Sequence, residues 1–144
     1  MGADNPMEPK WEHYTHGADI GIRGIGPTIE DAFEQAAAAL AGVITDPSRV
    51  QGRQKVDIEC QAPDHEILLV DWLNALVYQM AVGGLILAQS QVKIEGDRLH
   101  GTAWGERADV MRHEPAVEVK GATYTDLFVG RKDGAWIAQC VVDV

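Results

Sequence analysis

The chain has 144 residues, 46% of them apolar and 24% charged, and a net charge of −10. That size and balance describe one soluble globular domain able to bury a core without disulfide or metal. The acidic surplus excludes a broad nucleic-acid-binding face, which needs clustered Lys and Arg, so no direct nucleic-acid contact is expected and any link to RNA or DNA should run through a partner protein.

The two cysteines, Cys60 and Cys140, have neither disulfide nor metal spacing and read as reduced core thiols. With no secretory pattern and no long apolar run, the expected location is the cytoplasm, without a membrane partner.

Residues 1–10 are polar and carry two prolines, and are expected to be a flexible N-terminal leader ahead of a domain over 11–144. From Ala18 to Ile25, the residues Ile20, Ile22 and Ile25 predict a strand closed by Gly24, Gly26 and Pro27. Thr28 should then cap a helix, with Asp31 in a variant of the capping box. Phe33, Ala36, Leu40, Val43 and Ile44 share one face of that helix, and Asp46-Pro47 ends it. Lys55 to Gln61 alternates, with Val56, Ile58 and Cys60 on one side, as a half-buried strand does.

A second helix should follow Pro63-Asp64, its apolar stripe running from Leu69 through Trp72, Leu73, Leu76 and Val77 to Met80 until Gly83-Gly84 stops it. Beyond that the pattern predicts strands over Leu85–Glu95, Arg98–Gly105, Ala116–Lys120, Asp126–Gly130 and Ala135–Val142. Gly96-Asp97 and Lys132-Asp133-Gly134 supply hairpin turns. The expectation is an α+β, two-layer domain: a mostly antiparallel sheet of about six strands with two helices packed on one face.

Several familiar constellations are absent. No phosphate-binding loop occurs, and the glycines of GIRGIG lack dinucleotide spacing and read as turn glycines at a strand end. No Ser-His-Asp spacing or activated cysteine is evident. His13 and His16 lack a matching ligand pattern, Asp71 belongs on the solvent flank of its helix, and Trp11, Trp72, Trp104 and Trp136 read as core or rim aromatics.

The acidic residues differ. Asp19 lies between Ala18 and Ile20 in a strand, where a partly desolvated carboxylate must find a proton, a base or a metal. Asp143 and the carboxylate of Val144 follow directly on another strand. If the two segments meet, three anionic oxygen donors converge, a set suited to a hard divalent ion such as Ca²⁺, Mg²⁺ or Mn²⁺.

The chain also resembles the archease family, small proteins that support the GTP-dependent RNA-splicing ligase of the RtcB type. The resemblance rests on Thr15-His16-Gly17-Ala18-Asp19-Ile20-Gly21, on Leu68-Leu69-Val70-Asp71-Trp72-Leu73-Asn74, and on Gly105-Glu106, Asp109 and His113-Glu114-Pro115. It continues through Val119-Lys120-Gly121-Ala122-Thr123-Tyr124 to the closing Asp143-Val144. It implies a metal site at Asp19, Asp143 and the Val144 carboxylate, and a role in promoting ligase guanylylation and multiple turnover in tRNA splicing and RNA repair.

Three positions depart from the family's pattern: Thr15 in place of an acid, Gly17 in place of Thr or Ser, and Thr125 where His often stands. His16, Glu106, His113 and Lys120 are further candidates for partner contact. The expected role is therefore a non-enzymatic activator. A general chaperone is one alternative; a metal-dependent hydrolase using Asp19 and Asp143 is another, for which no general base or pocket is identified.

Overall fold

The computed structural model describes residues 7–144; residues 1–6, most of the expected leader, lie outside the described residues. The first strand begins within the expected leader, at its last residue. β1 (Lys10–His16) and β2 (Asp19–Gly26) form a hairpin in register from Lys10 opposite Ile25 to His16 opposite Asp19. Gly17 makes the reversal at φ 59. One strand is expected here from sequence; β1 gives no signal because an edge strand exposed along most of its length shows no continuous apolar alternation.

The glycines of β2 are close-approach positions. A Cβ on Gly24 would lie 2.0 Å from the carbonyl oxygen of Ala32, so glycine lets a helix backbone rest directly on β2. Gly24 therefore belongs to the strand interior, and its role is packing, not the turn expected of it.

That helix, α1 (Ile29–Ile44), starts at Thr28, whose hydroxyl accepts the Asp31 N–H at 3.0 Å. A single 3₁₀ turn (Pro47–Arg49) leads to β3 (Gln54–Gln61). α2 (His65–Gly83) is capped by the Asp64 carboxylate, and Gly84 closes it in the left-handed region at φ 64. β4 (Leu85–Glu95) and β5 (Arg98–Arg107) pair across the Gly96-Asp97 turn. α3 (Val110–His113), β6 (Gly121–Ala122), β7 (Phe128–Lys132) and β8 (Ala135–Asp143) complete the chain.

The α+β class, the two long helices and the antiparallel pairing are as expected. Among the described residues the strands number eight, more than the six or so expected, and divide between two sheets. One has the order β1-β2-β8-β6 with β7 also on β8, and the other is β3-β5-β4. Phe33, Leu40, Leu69, Trp72, Leu73 and Leu76 fill the space between sheets and helices, each 2% exposed or less. Trp72 donates its indole N–H to the carbonyl of Phe33 at 3.2 Å, tying α2 to α1.

Glutamates on the helices finish the open edges of the sheets. On α1, one turn apart, Glu34 accepts the N–H of Val92 at 2.8 Å and Glu30 that of Ile94 at 3.4 Å, both on the outer edge of β4. On α2, Glu66 accepts the N–H of Val129 at 3.3 Å on β7. Edge donors are thus satisfied without a further strand.

The strand expected over Ala116–Lys120 is a correction: that stretch has no regular structure. Its backbone instead makes isolated bonds, Ala116 N–H to Ile44 and Lys120 N–H to Asp143, because it wraps between α1 and β8 and has no single ladder to join. α3 and β6 were not foreseen; at four and two residues they are too short to carry a periodic signal.

Candidate functional site

The pairing of β2 with β8 runs from Gly26 opposite Trp136 to Ile20 opposite Val142. The next residue of each strand beyond that pair is Asp19, the first of β2, and Asp143, the last of β8, so both stand at the same end of the sheet. The other side of β8 carries β6, with Gly121 opposite Asp143 and the Lys120 N–H bonded to the Asp143 carbonyl at 2.8 Å. Asp19 is half-buried and Asp143 exposed, while the Val144 side chain packs on the core. His16 joins this sheet end as the cross-strand partner of Asp19, exposed, its Nε2 3.9 Å from Asp126.

Neither Asp19 nor Asp143 forms an ion pair among the described residues. No cluster of three or more His, Cys, Asp or Glu side chains able to hold a metal occurs among the described residues. The donor set expected here is of another kind: two aspartates and a main-chain carboxylate. Its chemistry, oxygen only and without an internal cation, fits a hard divalent ion.

Asp126 is the member of this region that sequence reasoning missed. It sits in the left-handed region at φ 54 and lies within 3.5 Å of the Tyr14 hydroxyl, which donates to it. Tyr14 in turn lies under the Arg23 guanidinium, 4.7 Å from the ring centroid. Only the fold brings residues 14 and 126 together, so no local pattern announces them.

Glu106 and His113 lie elsewhere, buried at 4% and 1% exposure. The N–H of Asp109 donates to His113 Nδ1 at 2.8 Å, so the ring proton sits on Nε2 and is given to Glu106 Oε2 at 3.1 Å. Glu106 also accepts the Gln51 N–H at 2.8 Å and meets the guanidinium groups of Arg112 and, at 3.4 Å, Arg53. The Arg112 bond, then that from Gln51, pulls the Glu106 carboxyl down to about 2. These two partner-contact candidates are therefore engaged inside the chain, whereas Lys120 and His16 are exposed at the sheet end.

Cys60 and Cys140 carry thiols pushed up by burial to about 11 and about 12, as core thiols should be. Asp71 is exposed on α2, and no helix of the described residues is long and apolar enough to cross a membrane.

Fold and sheet end together define a small antiparallel α+β protein whose distinctive chemistry is an oxygen-rich strand terminus. The model of the archease protein family matches residues 11–144, and the chain belongs to that family. It is 44% identical over 140 residues to protein archease of Pyrococcus furiosus, covering 94% of this chain and 99% of that one. Protein archease of Methanosarcina mazei is 36% identical over 140 residues, with 94% and 96% covered.

Among solved structures, the solution structure of Methanobacterium thermoautotrophicum protein 1598 superposes with a TM-score of 0.76 at 31% identity, covering 93% of this chain and 98% of that one. The crystal structure of a Thermotoga maritima archease, described as a possible chaperone, has a TM-score of 0.64 at 20% identity, covers 100% of this chain and 99% of its own, and supports the fold alone.

Proposed function

We propose that this protein is a non-enzymatic activator of the GTP-dependent RNA-splicing ligase of the RtcB type, promoting ligase guanylylation and repeated turnover in tRNA splicing and RNA repair. The reading is supported by family membership, by the motif resemblance, and above all by one observation: β2 and β8 bring Asp19 and Asp143 to the same sheet end, and neither forms an ion pair among the described residues.

In this reading Asp19, Asp143 and the carboxylate of Val144 hold a divalent ion, Ca²⁺, Mg²⁺ or Mn²⁺. Bound there, the ion supplies a compact positive charge to an otherwise anionic surface. The chain's own residues do the rest: the strand pairing fixes both aspartates, and the Val144 side chain anchors the last residue to the core. Lys120 and His16 flank the site as candidate contacts to the ligase.

The test mixes the protein with ligase, GTP and Mn²⁺. The guanylylated fraction and the number of ligation rounds should rise, while the protein alone neither hydrolyses GTP nor joins RNA. Residues added after Val144 should abolish the effect while an equal extension ahead of residue 1 leaves it intact. GTP hydrolysis by the isolated protein, lost in Asp143→Ala, would overturn the reading in favour of a hydrolase.

A further inference from the structure

We propose that α3 and the arginines around it form a docking surface for an acidic, partly apolar segment of a protein partner. A four-residue helix does not persist on its own. This one is held by the Asp109 carboxylate, which accepts the N–H groups of Met111 and Arg112, and by the Thr45 hydroxyl, which donates to the His113 carbonyl. Beneath it the buried Glu106–His113 pair fixes the turn to β5. Burying such a pair carries a desolvation penalty, and its product is a rigid turn that presents two apolar side chains outward. Val110 is 75% exposed and Met111 89%.

Single exposed apolar residues need no explanation, but here two adjacent ones stand on a fixed turn among arginines. Met and Arg are among the residues enriched in protein interfaces, and no Lys is among the described residues that line this depression. In a chain of net charge −10, the depression beside α3 is lined by Arg53, Arg107 and Arg112 against the carboxylates of Glu106 and Asp109, while Arg49 is answered nearby by Glu114 and Asp46.

Glu106 grips Arg53 and Arg112 each by one edge of the guanidinium. Their free N–H groups thus stay beside the open depression that Arg107 also lines. Arg107 is exposed and has no ion pair among the described residues. Charge complementarity therefore selects an acidic occupant. Two apolar knobs beside the arginines, and the anionic remainder of the chain, favour a protein segment over a nucleic-acid backbone.

The partner's identity rests on the proposed ligase reading; the surface does not use the residues of the acidic sheet end, so affinity and activation should separate. Ligase is titrated with the parent protein, with the double variant Met111→Ser/Arg107→Glu, and with Asp143→Asn, following Kd and guanylylation together. The double variant should raise Kd at least tenfold, keep the parent's melting temperature, and restore parental guanylylation at saturation. Asp143→Asn should keep the parent's Kd and lose stimulation.

Parental Kd in the double variant overturns the docking surface and leaves the ligase reading intact. Failure of the parent to bind ligase at all overturns both. Binding of a labelled RNA oligonucleotide that Arg107→Glu abolishes would make the occupant a nucleic acid and overturn the proposal as stated.

Discussion

Glu106 and Asp143 stand near the ends of β5 and β8, and their surroundings are opposite. Glu106 is 4% exposed and receives two guanidinium groups, a main-chain N–H and an imidazole N–H. Asp143 is exposed, and its main chain is bonded to the Lys120–Gly121 segment while its carboxylate has no cation among the described residues. A carboxylate whose charge is answered within the chain builds structure; one left unanswered at a fixed strand end is available to a cation from outside. The same residue type thus serves two purposes, separated by what the fold sets next to it.

Breaking the arginine corner should show its structural nature most strongly. His113→Ala removes the Nε2–H donor to buried Glu106 and the acceptor for the Asp109 N–H, which should cost about 3 kcal/mol in denaturant unfolding. Next in size is an edge glutamate. Glu34→Ala leaves the Val92 N–H without its acceptor and should cost about 1–2 kcal/mol, whereas Glu34→Gln, which can still accept, should stay near the parent.

Acid titration sharpens the contrast. The Glu106 carboxyl is held at about 2, below its unfolded range, so its contribution to stability is full above the ordinary carboxylate pKa and is lost as pH falls toward 2. Burial raises Glu34, so its term has the opposite sign and favours the fold as pH drops through its own titration. Melts between pH 7 and 3 should therefore lose stability less steeply in Glu106→Gln than in the parent. The smallest stability effect belongs to the acidic sheet end: Asp19→Asn should shift unfolding by less than about 0.5 kcal/mol, since Asp19 forms no ion pair among the described residues.

Periodicity made the long elements legible. α2 lies where its apolar stripe and Gly83-Gly84 stop place it, and β4 matches Leu85–Glu95 residue for residue. Asp19 and Asp143 stood out because each adjoins an apolar run, though their alignment across β2 and β8 appears only in the sheet register. What escaped depends on contacts distant in sequence: β1, an exposed edge strand; α3, held by Glu106 and His113; and Asp126, which meets Tyr14 across 112 residues. Glu106 and His113 looked like surface candidates because polar residues beside Gly105 and Pro115 give no sign of the pair they form once folded.

As proposed, the acidic sheet end acts on the ligase and is not needed for the fold. The direct test measures guanylylated ligase at saturating protein for the parent and Asp143→Asn, at a temperature where both are folded. Stimulation is expected from the parent and none above ligase alone from Asp143→Asn, with matching melting temperatures. Full stimulation by Asp143→Asn would contradict it.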